Sequence, residues 1–227
     1  MTADFRLWSR RVELIALFAF CALILFSALG HERSASDAVA GASQIVTTSP
    51  AAPSVSARVP EPVLNAEAYF VRFADDQAPL LSRRPDTAFP PASLTKLMTV
   101  FVARQILAPD DTVLFSENVK AVDETRSDAV VGEVFMRDDA VRLAIIPSAN
   151  DAAIALAETA GKKVGEGDFA GRIAFFVRFM NEQARVMGLH STHFVNPTGL
   201  DAPEHTASVR DLASLAASVL AEDPEIF

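Results

Sequence analysis

Hydrophobic positions recur at helical spacing through most of the second half of the chain. After two prolines, the apolar residues from Leu94 onward predict a helix that begins close to Ser93 and runs to about Leu107. The last predicted helix begins with Ser208 and has Asp211 three residues later, which is the spacing of a capping box. The helices predicted after the first are Arg137–Ile146, Asp151–Ala160 closed by Gly161, Phe169–Met187, and Ser208–Leu220.

The residues ahead of the first helix predict a β-hairpin. Ala66–Phe73 is rich in β-prone side chains, residues 74–77 are typical of a turn, and Ala78–Ser82 can return as the second strand. Residues 112–133 show a mixed pattern that favours short strands and loops. The folded body is therefore predicted to be mostly helical after an initial hairpin.

The first 40 residues have the pattern of a targeting segment. Three arginines precede an apolar run over residues 14–29, which fits either the core of a signal peptide or an uncleaved membrane anchor. Residues 41–64 are rich in Ala, Ser, Thr, Pro and Val and predict a flexible linker. The body from residue 65 is expected to be exported, to the periplasm or the outer face of the cytoplasmic membrane. Membrane contact is expected only through the N-terminal segment.

Composition and charge exclude several function classes. A net charge of −9 without a basic cluster argues against a nucleic-acid partner. The only cysteine, Cys21, falls in the N-terminal apolar run, so the exported body would have neither disulfides nor thiol catalysis. His190 and His193 lack an acidic partner or a third ligand in the sequence, and the glycines form no phosphate-binding loop. No metal and no cofactor are therefore expected.

Ser93 and Lys96 form a Ser-x-x-Lys motif at the start of the first predicted helix. Residues three apart share one face of a helix, so the Lys96 amine is expected beside the Ser93 hydroxyl. A lysine desolvated there can lose its proton near neutral pH and activate the serine for acyl transfer without a histidine. As a bare motif the pattern is weak, because serine also favours helix N-caps and a first-turn lysine is often solvated.

A second polar motif, Ser148-Ala149-Asn150-Asp151, lies between two predicted helices. A turn at this point can direct a hydroxyl and a carboxamide into a cleft, where they relay a proton and orient a substrate amide. The alternative is structural, since serine, asparagine and aspartate all favour N-caps. Taken alone, the turn leaves both interpretations open.

Three stretches of the chain resemble the serine D-alanyl-D-alanine carboxypeptidases, the low-molecular-mass penicillin-binding proteins of peptidase family S11. They are PASLTKLMT at 91–99, SANDAA at 148–153 and THFVNPTGL at 192–200. Their order and spacing agree with the family, and the resemblance covers roughly residues 66–227. Three family-like stretches in order are more specific than any one of them, so the resemblance favours catalysis over capping for both motifs.

The resemblance implies a mechanism and a fold. Ser93 would attack the carbonyl of a peptidoglycan stem peptide ending in D-Ala-D-Ala, with Lys96 as general base. Ser148 would relay protons, Asn150 would hold the substrate backbone, and β-lactams would acylate the same serine. The implied fold is α+β, of the penicillin-binding and serine β-lactamase type. It has a helical subdomain and an incomplete antiparallel sheet, with residues 65–227 as the N-terminal portion of the catalytic domain.

One part of the family pattern does not occur in these 227 residues. The third box is Lys-Thr-Gly or a close variant on a later strand, and Pro197-Thr198-Gly199 lacks the lysine. In the family that strand supplies an oxyanion donor, and losing one such donor costs about 10²–10³ in rate. We therefore expect low hydrolytic activity from this chain and interpret it as a truncated reading frame or a fragment. Alternative functions are a murein D,D-endopeptidase, a β-lactamase-related enzyme and an inactive peptidoglycan-binding protein.

Overall fold

The computed structural model describes residues 62–122, 126–165 and 167–227. The described residues form five α-helices: α1 (Thr95–Ile106), α2 (Arg137–Ile145), α3 (Asn150–Val164), α4 (Phe169–Val186) and α5 (Val209–Glu222). These helices confirm the five predicted from hydrophobic spacing. The predicted targeting segment and the linker up to residue 61 lie outside the described residues. In the described part of the chain, no helix is both long enough and apolar enough to cross a membrane.

In the described ranges, six short strands form three antiparallel pairs. They are β1 (Tyr69–Val71), β2 (Leu81–Arg83), β3 (Ala88–Phe89), β4 (Thr112–Leu114), β5 (Val134–Met136) and β6 (Ala207–Ser208). The pairs are β1 with β2, β3 with β6, and β4 with β5. Residues 112–133 contain β4, which agrees with the predicted short strands, and also a 3-10 helix at Glu117–Ala121, which was not predicted.

The predicted hairpin is confirmed, but the bounds predicted for its second strand are wrong. That strand begins at Leu81 instead of Ala78, and Tyr69 lies opposite Arg83. Pro79 precedes the strand and has no backbone N–H to donate to a ladder. Pairing therefore starts after the proline, where the Leu80 N–H donates to the Val71 carbonyl at 2.7 Å.

Helix α3 lies at the centre of the hydrophobic core and packs against α1, α2 and α4. The prediction that Gly161 closes this helix is wrong, because α3 continues to Val164. A Cβ built at Gly161 would lie 2.9 Å from the carbonyl carbon of Arg172 on α4. The glycine thus allows two helix backbones to approach closely, and it does not mark a helix end.

Helix α5 begins as its sequence pattern predicted. The Ser208 side chain accepts a hydrogen bond from the Asp211 N–H at 3.1 Å, which caps the helix. The strand just before α5 pairs with Ala88–Phe89, the strand that leads into the first helix. This pairing holds the start of α5 beside the segment that carries Ser93.

Arg104 joins α1 to α2 and to the residues after α5. Its guanidinium donates to Asp138 at 2.6 Å, to Asp223 at 2.5 Å and to Glu225 at 2.8 Å. The Arg104 side chain is only 10% exposed, so these contacts are partly shielded from solvent. These contacts hold the C-terminal end of α1, which is the end away from Ser93.

Candidate active site

Ser93 lies in a single 3-10 turn, Ala92–Leu94, directly before α1. The N-cap of α1 is Leu94, and no side chain caps the helix. The Ser93 hydroxyl instead accepts a hydrogen bond from the Lys96 amine, with Oγ and Nζ 3.1 Å apart. The juxtaposition predicted from the Ser-x-x-Lys spacing is therefore present, and the capping alternative for this serine is not observed.

Lys96 is buried, with an exposed fraction of 1%. Its amine donates to the Ser93 hydroxyl and, at 2.8 Å, to the backbone carbonyl of Thr198. Within the described ranges no carboxylate forms an ion pair with this amine. Burial lowers the pKa of Lys96 to about 8, because a charged amine loses hydration that two neutral oxygens replace incompletely. The site therefore holds an amine that can give up its proton close to neutral pH.

The acceptor carbonyl belongs to a turn over residues 196–200 that one side chain organises. The Asn196 Oδ1 atom accepts from the Thr198 N–H at 3.1 Å, the Thr198 hydroxyl at 2.9 Å and the Gly199 N–H at 2.8 Å. The Asn196 Nδ2 group donates to the Leu200 carbonyl at 2.8 Å. These four bonds set the direction of the Thr198 carbonyl, and with it the position of the Lys96 amine.

Gly199 approaches the backbone beside Ser93 more closely than any side chain allows. A Cβ at this position would lie 2.5 Å from the Ala92 carbonyl carbon and 3.1 Å from the Ser93 nitrogen. Gly199 has φ +87°, and Ala92, a residue with a side chain, has φ +49°. The segment just before the candidate nucleophile is thus held in an unusual conformation against a bare glycine.

Ser148 and Asn150 lie at the N-terminal end of α3, the helix that packs against α1. Ser148 is half-buried with φ +60°, and Asn150 is 4% exposed. The N-cap of α3 is Ala149, so capping by Ser148 is not observed. In the described part of the chain, Ser148 forms no hydrogen bond to Ser93 or to Lys96.

The buried carboxylate of Asp151, the residue after Asn150, contacts the segment at 126–127. It accepts hydrogen bonds from the Ser127 N–H and the Ser127 hydroxyl, each at 3.0 Å. Arg126 lies 3.9 Å from it. Asp151 therefore anchors the segment at 126–127 beside the Ser148-x-Asn150 motif. Among residues 62–122, 126–165 and 167–227, no group of three His, Cys, Asp or Glu side chains could hold a metal ion.

The family model for D-alanyl-D-alanine carboxypeptidases of the peptidase S11 type matches residues 55–227. The chain belongs to this family. The assignment made from the three sequence stretches is thereby confirmed, and the match covers the whole part of the S11 chain that the structure describes.

Several characterised proteins are similar to this S11 chain. D-alanyl-D-alanine carboxypeptidase DacA of Haemophilus influenzae is 31% identical over 175 residues, which is 74% of this chain and 42% of that protein. A D-alanyl-D-alanine endopeptidase of Pseudomonas aeruginosa is 36% identical over 139 residues, which is 60% of this chain and 41% of that protein. The chain thus spans about two fifths of the length of these relatives.

Two solved structures resemble the fold. Penicillin binding protein 5 from Haemophilus influenzae superposes with a TM-score of 0.65 at 30% identity, covering 74% of this chain and 48% of that one. The Streptomyces K15 DD-transpeptidase superposes with a TM-score of 0.68 at 26% identity, covering 72% of this chain and 64% of that one. The predicted α+β fold is confirmed by this likeness and by the observed helices with small antiparallel sheets.

Sequence reasoning missed the residues that hold the S11 site together from a distance. The stretch around Thr198 resembles the family, but no local pattern indicates that its carbonyl accepts a hydrogen bond from the Lys96 amine. The Thr99 hydroxyl likewise donates to the Pro197 carbonyl at 2.7 Å. The one sequence signal for this turn is Gly199, which follows Pro197-Thr198 in a stretch without helical or strand periodicity. A glycine at such a point is typical of a turn with positive φ.

Proposed function

We propose that this protein is a serine-type D-alanyl-D-alanine carboxypeptidase that works through an acyl-enzyme on Ser93. The observation that carries the proposal is the buried Lys96 amine, 3.1 Å from the Ser93 hydroxyl and bonded otherwise to a neutral carbonyl. A lysine held in this way is a base for the hydroxyl and needs no histidine. The family membership and the carboxypeptidase relatives support the same reaction.

The proposed reaction has two stages. The neutral Lys96 amine takes the Ser93 proton while Oγ attacks the carbonyl of the penultimate D-Ala. The peptide C–N bond then breaks, the proton passes to the leaving amine of the terminal D-Ala, and an ester to Ser93 forms. Water, deprotonated by the same amine, hydrolyses the ester, which frees the shortened peptide and returns the proton to Ser93.

We assign the supporting roles to the start of α3, where Ser148 lies just before the helix and Asn150 is its first residue. Ser148 would carry the proton from Lys96 to the leaving amine, and Asn150 would hold the substrate backbone through its carboxamide. Their position on a helix that packs against α1 supports this assignment, as does the left-handed conformation of Ser148 at φ +60°. Non-glycine residues in such conformations concentrate at functional sites.

The proposed substrate is a peptidoglycan stem peptide that ends in D-Ala-D-Ala, encountered after export to the periplasm or the outer membrane face. β-Lactams would acylate Ser93 in place of the peptide. Residues 1–227 do not contain the third box of the family, so we expect acylation to be slow in a chain of these residues alone. Detection of covalent label on such a chain therefore requires long incubations.

A second candidate function is D-alanyl-D-alanine endopeptidase activity. The relative from Pseudomonas aeruginosa that bears this name is 36% identical, a higher identity than that of the carboxypeptidase DacA. Both reactions use the same nucleophile and base and differ in the peptide that is cleaved. Digestion of purified muropeptides separates them, because only the endopeptidase converts cross-linked dimers to monomers.

Labelling with a fluorescent penicillin tests the acylation site. Covalent label is expected on the full chain, and it should disappear in Ser93→Ala. Ser214→Ala is the matched control and should leave labelling intact. Among the described residues, the Ser214 hydroxyl bonds only to a carbonyl of its own helix. Label that persists in Ser93→Ala would overturn the assignment of the nucleophile. Binding of a D-Ala-D-Ala peptide without label or turnover would favour an inactive binding protein.

A further inference from the structure

His205 is buried against Thr95, the residue before Lys96, and forms hydrogen bonds on both sides of its ring. Its exposed fraction is 2%. The Nε2 atom lies 2.8 Å from the Thr95 hydroxyl, and the Nδ1 atom lies 3.0 Å from the Val195 backbone nitrogen. Both nitrogens are therefore engaged by groups from other parts of the chain.

These two contacts determine the tautomer of the ring. A backbone N–H can only donate, so Nδ1 must accept the bond from Val195 and cannot carry a proton. The neutral ring then carries its proton on Nε2 and donates it to the Thr95 oxygen. The observed arrangement is satisfied by one protonation state, the neutral Nε2–H form.

The two partners of His205 belong to the two halves of the candidate site. Thr95 is the first residue of α1 and the neighbour of Lys96. Val195 leads into the turn that presents the Thr198 carbonyl to the Lys96 amine. His205 thus connects α1, which carries Lys96, to the turn at 196–200, whose Thr198 carbonyl accepts a hydrogen bond from the Lys96 amine.

We infer that His205 is a positioning residue of the acylation site, which holds α1 and the 196–200 turn together through its neutral Nε2–H form. This inference rests on the proposed function. A protonated ring would place a second N–H against the Val195 N–H, so that the Nδ1 bond would be lost. Protonation of His205 should therefore loosen the Thr198 carbonyl and the Lys96 amine together.

The charged groups around the ring act in opposite directions. Burial and the neighbouring His193 lower the pKa of His205, whereas Asp201 raises it. The Lys96 amine, on the residue after Thr95, adds a positive charge on the α1 side at pH values below its own pKa. The loss of positioning is accordingly expected below pH 6.5, the ordinary pKa of histidine.

The test compares acylation rates with a fluorescent penicillin between pH 5 and 9 for the full chain and two variants. In H205Q the side chain keeps one acceptor and one donor but cannot be protonated. The ratio of the wild-type acylation rate to the H205Q rate should be constant above pH 7. Below the pKa of His205, this ratio should fall by up to about tenfold per pH unit. H205L leaves the Thr95 hydroxyl and the Val195 N–H unpaired, and should acylate about tenfold more slowly at pH 7.5. H190Q, at an exposed histidine, is the matched control and should keep the wild-type profile.

A second measurement does not depend on acylation, so failure of the proposed function would be recognised separately. Imidazole ¹⁵N NMR should show His205 protonated on Nε2 at pH 7.5. In ¹⁵N-lysine spectra, H205L should move the Lys96 pKa from about 8 towards 10.5, because the amine regains solvent when its carbonyl partner loosens. An Nδ1–H tautomer would overturn the inference, as would an unchanged Lys96 pKa in H205L or an H205Q profile that falls in acid as steeply as wild type.

Discussion

Gly199→Ala tests whether the turn at 196–200 positions the candidate nucleophile. The added methyl group would lie 2.5 Å from the Ala92 carbonyl carbon and 3.1 Å from the Ser93 nitrogen, whereas ordinary contacts begin at 3.4 Å. Both neighbouring atoms belong to the backbone and cannot rotate away. The Ala92 carbonyl oxygen would lie closer still, so relief of the contact requires the Ala92–Ser93 segment and the turn to separate by roughly 1 Å or more.

Two costs add in this variant. Alanine at the φ of +87° observed for Gly199 occupies the left-handed region, which costs about 1–2 kcal/mol. Overpacking against backbone adds about 1–3 kcal/mol. The free energy of unfolding should therefore fall by about 2–5 kcal/mol. A displacement of about 1 Å at Ser93 should also slow acylation by about 10²-fold in the protein that remains folded.

Gly132→Ala separates the two costs. Gly132 has φ +95°, but a Cβ there would meet nothing within 4 Å. This control should lose only the backbone cost of about 1–2 kcal/mol and should acylate at the wild-type rate. Urea unfolding followed by circular dichroism measures stability, and fluorescent-penicillin labelling measures acylation. Equal losses of stability in the two variants, or an unchanged acylation rate in Gly199→Ala, would refute the positioning argument.

Three further predictions use the same assays. Acylation should rise about tenfold per pH unit and level off near pH 8, because the Lys96 amine with its pKa of about 8 must be neutral to act; a flat profile from pH 6 to 9 would contradict this. Arg104→Ala should lower the free energy of unfolding by about 2 kcal/mol without changing the acylation rate, while Arg185→Ala, at an exposed pair, should change neither. Asn196→Ala should lower stability by about 2 kcal/mol and acylation about tenfold, since three accepted bonds and one donated bond are lost. Asn196→Asp keeps the three acceptors, loses only the bond donated to Leu200, and should retain more of both.

The local elements were predictable because each depends on neighbours along the chain. The spacing of apolar residues predicted that α1 begins close to Ser93, and the helix begins two residues later, at Thr95. The Ser208 pattern predicted the N-cap of α5. One prediction failed because a residue that resembles a local stop signal serves a tertiary contact instead. Gly161 has the local character of a helix end, but it lies inside α3, where the backbone of Arg172 on α4 leaves no room for a side chain.

The same division holds for the candidate site. The sequence alone determined that Ser93 and Lys96 share a helix face, since a separation of three residues and the period of an α-helix suffice. Tertiary structure decided everything that prepares Lys96 as a base: its burial and the Thr198 carbonyl, 102 residues away. It also placed His205 against Thr95, 110 residues away in sequence. Such contacts follow from how helices and turns pack in three dimensions, and the pattern of a single segment contains no record of that packing.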